Sequence, residues 1–267
     1  MPSDPDSARS GKSEQANTRA KCTHFLTLSK LNKHYGALKV TDNLSVQLNK
    51  GEALGIIGPN GAGKSTLFNL ITGNTQPDSG SVYFKGADIT RLSVAERCQT
   101  GIGCAYQIPH PFVGMTVFEN VLVGATFGAR LSEQAAYKPC IEILAKTALL
   151  DKANELAGRL TLLDRKRLEL ARALATEPEL LLLDEIAGGL TEGEVHELVA
   201  AVNAIRAEGV SIIWTEHIVH ALLAVVDRLI AINFGALLKE GKPDEVMASP
   251  EVQEVYMGIS IDEAPSA

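Results

Sequence analysis

The sequence is short of several things, and each shortage removes a class of protein. It holds four cysteines in 267 residues, Cys22, Cys98, Cys104 and Cys140, with no C-x-x-C pair among them. That spacing gives neither a disulfide framework nor a zinc site, so the thiols read as reduced and the chain as cytosolic. Basic residues do not dominate. Lys+Arg 25 against Asp+Glu 32 leaves a formal net charge of −7, and the basic footprint of a dedicated nucleic-acid binder is missing. Long apolar runs are missing too. Ala221–Val226 and Leu229–Ile232 are broken by Asp227 and Arg228, well short of the roughly 18 residues that a membrane span needs. No internal repeat or low-complexity tract is visible. Residues 1–21 are rich in Ser, Asp, Lys, Arg and Ala and lack the apolar stretch of a secretory signal, so they are expected to form a frayed tail, with a second over 259–267.

What is present suits a large α/β fold. Hydrophobic residues make up 45% of the chain, ample for a core, and folded sequence is expected over 22–258. Alternation in Phe25–Leu28 and Leu44–Leu48 predicts half-buried antiparallel strands, and Ser81–Phe84 a third. The continuous apolar runs Ala53–Ile57, Leu180–Leu183, Val210–Trp214 and Leu229–Asn233 predict strands covered on both faces, the mark of a parallel sheet. Two S/T-x-x-E capping boxes, Ser93 with Glu96 and Thr116 with Glu119, open helices. A mostly helical stretch over about 115–176 forms an inserted lobe, and Val195, Leu198, Val199, Val202 and Ile205 line one face of the helix after it.

One motif carries the chemistry. Gly58-Pro59-Asn60-Gly61-Ala62-Gly63-Lys64-Ser65 fits G-x-x-x-x-G-K-[ST] without mismatch, between the buried strand Ala53–Ile57 and a helix that continues through Thr66. Phosphate oxygens need many donors converging at short range. Glycines let the loop turn its N–H groups inward, and the helix N-terminus adds its dipole. Lys64 is placed to reach the β- and γ-phosphates of a nucleoside triphosphate, and Ser65 to offer hydroxyl oxygen to Mg²⁺. At the end of Leu180–Leu183, Asp184 and Glu185 stand where α/β ligands bind. Asp184 suits Mg²⁺ and Glu185 suits polarising an attacking water, which points to hydrolysis and away from transfer to a second substrate.

Together these residues resemble the nucleotide-binding subunit of an ATP-binding-cassette (ABC) transporter, over about 25–258. The resemblance implies a P-loop cassette with a mainly parallel core sheet, an antiparallel β subdomain and an inserted helical subdomain, with ATP and Mg²⁺ as ligands. It makes Tyr35 the aromatic that stacks on adenine, Gln107 the glutamine that contacts Mg²⁺ and relays to the membrane subunits, and His217 the γ-phosphate histidine. His110, His196 and His220 match no such position.

The signature near L-S-G-G-Q departs from the family pattern. Leu160-Thr161-Leu162-Leu163-Asp164 stands there, with branched side chains where backbone must approach the opposite subunit's phosphate. This implies one impaired composite site and a heterodimer with a second cassette whose signature is intact. Ile186 stands where proline is usual and Thr191 where Asp or Asn is usual, although Thr191 and Glu194 can still form a capping box. Leu67–Gly73 and Met115–Asn120 look most like ATPase subunits of branched-chain amino acid uptake systems. The resemblance implies a peripheral subunit on the cytoplasmic face of the bacterial inner membrane, docked on two transmembrane permease subunits with a periplasmic solute-binding protein beyond, and no nucleic acid. Two alternatives stay open: a soluble ABC-type ATPase, and a regulatory subunit that binds ATP without turning it over.

Overall fold

The apolar runs become the inner strands of one sheet, and the alternating ones form a second sheet beside it. The computed structural model describes residues 24–257; the expected tails, the limits at 22 and 258, and Cys22 lie outside that range. Among the described residues there are ten strands: β1 Leu26–Tyr35, β2 Leu38–Leu48, β3 Ala53–Ile57, β4 Ser79–Phe84, β5 Ala87–Asp88, β6 Ile102–Ala105, β7 Leu180–Asp184, β8 Ser211–Thr215, β9 Arg228–Asn233 and β10 Ala236–Gly241. The antiparallel sheet runs β2-β1-β4-β5, and the larger one β10-β9-β3-β8-β7-β6. Within the larger sheet every pairing is parallel except β10 with β9.

Helix α1, Lys64–Thr72, packs between the two sheets: its Leu67, Phe68, Leu70 and Ile71 share a buried cluster with Leu26, Leu28 and Leu44 on one side and Leu54, Ile56, Leu182 and Ile213 on the other. Helix α2 covers Val94–Gln99, and α3, Val117–Val123, runs into a π-helical turn at Gly124–Gly128. Helices α4, Glu133–Lys146, and α5, Leu162–Leu174, complete a lobe around Val117, Val121, Ala136, Cys140, Leu144 and Leu168. The far face of the large sheet is covered by α6, Glu192–Ala207, through Val195, Leu198, Val202 and Ile205, around the buried Trp214. All three capping boxes, at Ser93, Thr116 and Thr191, form. Cys98, Cys104 and Cys140 are free thiols.

Parallel pairing decides where chemistry can happen. Ile56 of β3 is level with Thr215 of β8, Asp184 of β7 is also level with Thr215, and Ala105 of β6 is level with Leu183. Four adjacent strands therefore end together, and the loops that leave them begin at Gly58, Tyr106, Glu185 and Glu216.

The opposite end of α1 is held by a buried cation. Arg97 of α2 is fully buried and donates from Nη1 to the Leu70 and Ile71 carbonyls at 2.6 and 2.9 Å, and from Nη2 to Thr90 at 2.7 Å. The last carbonyls of a helix lack intrahelical partners and carry its negative dipole end, so a guanidinium satisfies both needs. Arg97→Met is expected to lower the unfolding free energy by about 3 kcal/mol, because it strands buried carbonyls without donors. Urea titration measures this; a loss under about 0.5 kcal/mol, the size of an ordinary surface change, contradicts it.

Candidate functional site

The loop after β3 turns sharply because its glycines allow it. A Cβ on Gly58 would collide with the Ile232 carbonyl oxygen, and one on Gly63 would lie 2.6 Å from the Val40 carbonyl oxygen. Gly63 has φ 102 and is the N-cap of α1, a conformation that glycine adopts without strain. No side chain caps α1 and its first turn holds no acid. Its orphan N–H groups thus face a cavity of about 180 Å³, lined by Val40, residues 59–66 and Glu185. An uncapped helix start with a fixed dipole is an anion site.

Lys64 is 6% exposed. Its Nζ donates to the Gly58 carbonyl at 2.7 Å and the Pro59 carbonyl at 3.3 Å. Burial pushes its ammonium below its ordinary pKa, while the charges of Glu185 and Asp184 pull it back. Ser65 and Thr66 follow on the first turn, Ser65 exposed. Asp184 accepts a hydrogen bond from Thr215 Oγ1 at 2.8 Å. Burial raises its carboxyl above the ordinary range, against the Thr215 bond.

Glu185 is the hub. Its backbone is left-handed, φ 48, a conformation that costs a non-glycine residue free energy and that clusters at functional sites. Its N–H donates to the Thr215 carbonyl at 2.9 Å. Gln107 Nε2, from the loop after β6, donates to Oε2 at 2.7 Å. His217 Nε2, from the loop after β8, is 2.8 Å from Oε1. Three residues read separately from the sequence thus meet on one carboxylate. Tyr35 stands apart, half-exposed at the end of β1, its hydroxyl 3.5 Å from Thr75 Oγ1 and its ring under Lys33 Nζ.

The departing signature begins α5. Thr161 is its N-cap and accepts from Asp164 N at 3.3 Å, while Asp164 takes Lys152 Nζ at 2.5 Å. Leu162 is 48% exposed, and its Cδ2 would lie 3.3 Å from a Cβ on Gly189, in the turn after Glu185.

Sequence reasoning missed Val40, Thr215, Glu216 and Lys166. The last carried a signal: Lys166, Glu169, Leu170 and Ala173 fall at i, i+3, i+4 and i+7, the buried stripe of α5.

A protein-family profile described as ABC transporter matches residues 41–188. A probable branched-chain amino acid transport ATP-binding protein, LivG, of Methanocaldococcus jannaschii is 36% identical over 246 residues, covering 85% of this chain and 94% of its own. A lipopolysaccharide export system ATP-binding protein, LptB, of Haemophilus influenzae is 32% identical over 234 residues, covering 88% and 97%. Among solved structures, an ATP-binding cassette of an ABC transporter in its ADP conformation superposes with a TM-score of 0.81 at 33% identity, covering 88% of this chain and 99% of that one.

Proposed function

The chain belongs to the ABC transporter family as one of its ATPase subunits, and from that premise we propose that it energises an importer of branched-chain amino acids or related small polar solutes. One observation carries the catalytic part: the uncapped start of α1 opens on the same cavity as Glu185, whose carboxylate Gln107 and His217 orient.

The N–H groups of residues 60–66 and the Lys64 ammonium hold the triphosphate, with the γ-phosphate toward Glu185. The half-exposed ring of Tyr35 stacks on adenine. The donors near the γ-phosphate suit Mg²⁺, since the Ser65 hydroxyl, the Asp184 carboxylate and the Gln107 Oε1 are hard oxygens. Held by these residues, Mg²⁺ would supply positive charge to offset that of the phosphates. Glu185 accepts a proton from water as the water oxygen bonds to the γ-phosphorus and the bridge to the β-phosphate breaks, leaving ADP and phosphate. His217 and Gln107 hold the base in line, which is positioning in the strict sense.

Two cassettes then sandwich ATP, and differential affinity for ATP and ADP shifts the closed–open population. Leu162 and Leu163 cannot bring backbone close to a partner's phosphate, so the cradle of this chain is completed by a second cassette with an intact glycine signature. The purified chain alone is expected to turn over ATP at least about ten-fold more slowly than with that partner, as a site missing part of its constellation does. Vigorous turnover as a homodimer, abolished by changing Leu162, contradicts this.

No helix of the described residues is long and apolar enough to cross a membrane. Beyond Gln107, the surface shows Ile108, Phe112 and Val113, at 63%, 45% and 62% exposed, and Phe127 on the lobe at 76%. Exposed apolar residues of this kind support a protein contact, and we assign to them two transmembrane permease subunits, with the chain peripheral on the cytoplasmic face of a bacterial inner membrane. A periplasmic solute-binding protein delivers cargo to those permeases. The choice of amino acid import over lipid export rests on the likeness of Leu67–Gly73 and Met115–Asn120 to uptake-system subunits, supported by the LivG relative and opposed by the LptB relative. Uptake of radiolabelled leucine by cells with and without the gene tests it, and unchanged uptake of branched-chain amino acids rejects it.

A further inference from the structure

Beneath the contact of Gln107, Glu185 and His217 lie two charged side chains to which the proposed mechanism gives no part. Lys166, on α5, is 4% exposed and Glu216, just after β8, is 1% exposed. Burial is the largest influence on both, pushing Lys166 down and Glu216 up from their ordinary values. Burying charge is costly, so residues of this kind are kept for what they hold in place.

Both reach main chain, and in each case it is the main chain that carries a partner of Glu185. Lys166 Nζ donates to the Gln107 carbonyl at 3.2 Å. Glu216 Oε1 accepts from Ala187 N, two residues after Glu185, at 2.6 Å, and its Oε2 accepts from His217 N at 2.9 Å and Ile218 N at 3.4 Å. Glu185, His217, Glu216 and the turn at Ala187 close a ring around the left-handed backbone of Glu185, and Lys166 joins it as a branch through the backbone and side chain of Gln107. Leu162, one helical turn before Lys166, lies beside the same turn, where a Cβ on Gly189 would be 3.3 Å from its Cδ2.

A neutral core would bury these positions at lower cost, and a single amide oxygen cannot replace a carboxylate that accepts on both oxygens. We propose that Lys166 and Glu216 are positioning residues for Glu185: Lys166 fixes the loop from which Gln107 reaches the carboxylate, and Glu216 ties the turn after Glu185 to the loop of His217. The seating of α5 is thereby transmitted to the hydrolytic group of the same chain. This rests on the assignment of Glu185 as the base.

The test uses the complete transporter, with Lys166→Met, Lys166→Arg and Glu216→Gln compared with the parent. Binding of a fluorescent ATP analogue, steady-state kcat and KM, and melting temperature are measured for each. Nucleotide affinity is expected to stay within about three-fold in all three, since none touches the cradle. Turnover falls about 10²-fold in Lys166→Met and Glu216→Gln, the scale of a small misplacement of a catalytic group, and Lys166→Arg recovers most of it. Turnover in Lys166→Met within about three-fold of the parent overturns the proposal, as does a parallel fall of affinity, melting temperature and kcat, or the absence of rescue by arginine. If Glu216→Gln proves too unstable to purify, the two Lys166 variants decide. A parent complex with no turnover overturns the ATPase reading itself and this inference with it, whereas normal turnover in Lys166→Met overturns this inference alone.

Discussion

Glu185→Gln is expected to leave ATP binding intact and to lower kcat by about 10²–10⁴-fold, the worth of a positioned general base. The change is nearly isosteric. A carboxamide oxygen can still accept from Gln107 Nε2, now at 2.7 Å from the carboxylate, and glutamine tolerates φ 48 no worse than glutamate does. What it loses is the ability to take a proton from water. The variant should therefore bind ATP, close against its partner cassette and stay closed, which gel filtration with and without MgATP reads as a shift to the assembled species. Turnover within a few-fold of the parent would remove Glu185 from the role of base and with it the argument built on Gln107 and His217.

Lys64→Ala is the complementary change, acting on binding and not on chemistry. The ammonium is buried at 6% exposure, and the carbonyls of Gly58 and Pro59 hold it at the mouth of the α1 N-terminus. Removing one partner of a buried, hydrogen-bonded charge pair costs roughly 2–5 kcal/mol, so affinity for MgATP should fall about 10²-fold or more. Stability should change little, because the cost of burying the ammonium offsets the carbonyl bonds that it makes. Titration calorimetry measures the first and thermal melting the second. A dissociation constant within about three-fold of the parent contradicts the assignment of Lys64 to the phosphates.

Local features of this protein were legible in its sequence and distant ones were not. The phosphate loop, the capping boxes at Ser93, Thr116 and Thr191, and the inner strands β3, β7, β8 and β9 are written in contiguous residues whose spacing has one physical solution. Three strands escaped, the first being β5, Ala87–Asp88, only two residues long. In β6, Ile102–Ala105, only four residues are present and Gly103 interrupts the apolar run, where a Cβ would press within 3.0 Å of Pro178. In β10, Ala236–Gly241, no residue is fully buried and the strand exists by pairing with β9. The site shows the same division. Asp184 and Glu185 could be read from the end of a buried run, but Thr215 and Glu216 acquire their partners only when β7 and β8 pair. Lys166 stands in Arg165-Lys166-Arg167, which looks like a solvated charge run until helical periodicity turns it inward. Gln107 and His217 could be named only through resemblance, since nothing in their immediate sequence indicates that both reach one carboxylate.

The sharpest measurement is a structure of the Glu185→Gln chain with MgATP. The account predicts a triphosphate wrapped by residues 60–66, its terminal phosphate against Lys64 and facing position 185, with Mg²⁺ beside Ser65. Density for a nucleotide elsewhere on the chain, or a phosphate loop that stays empty at saturating MgATP, would contradict it.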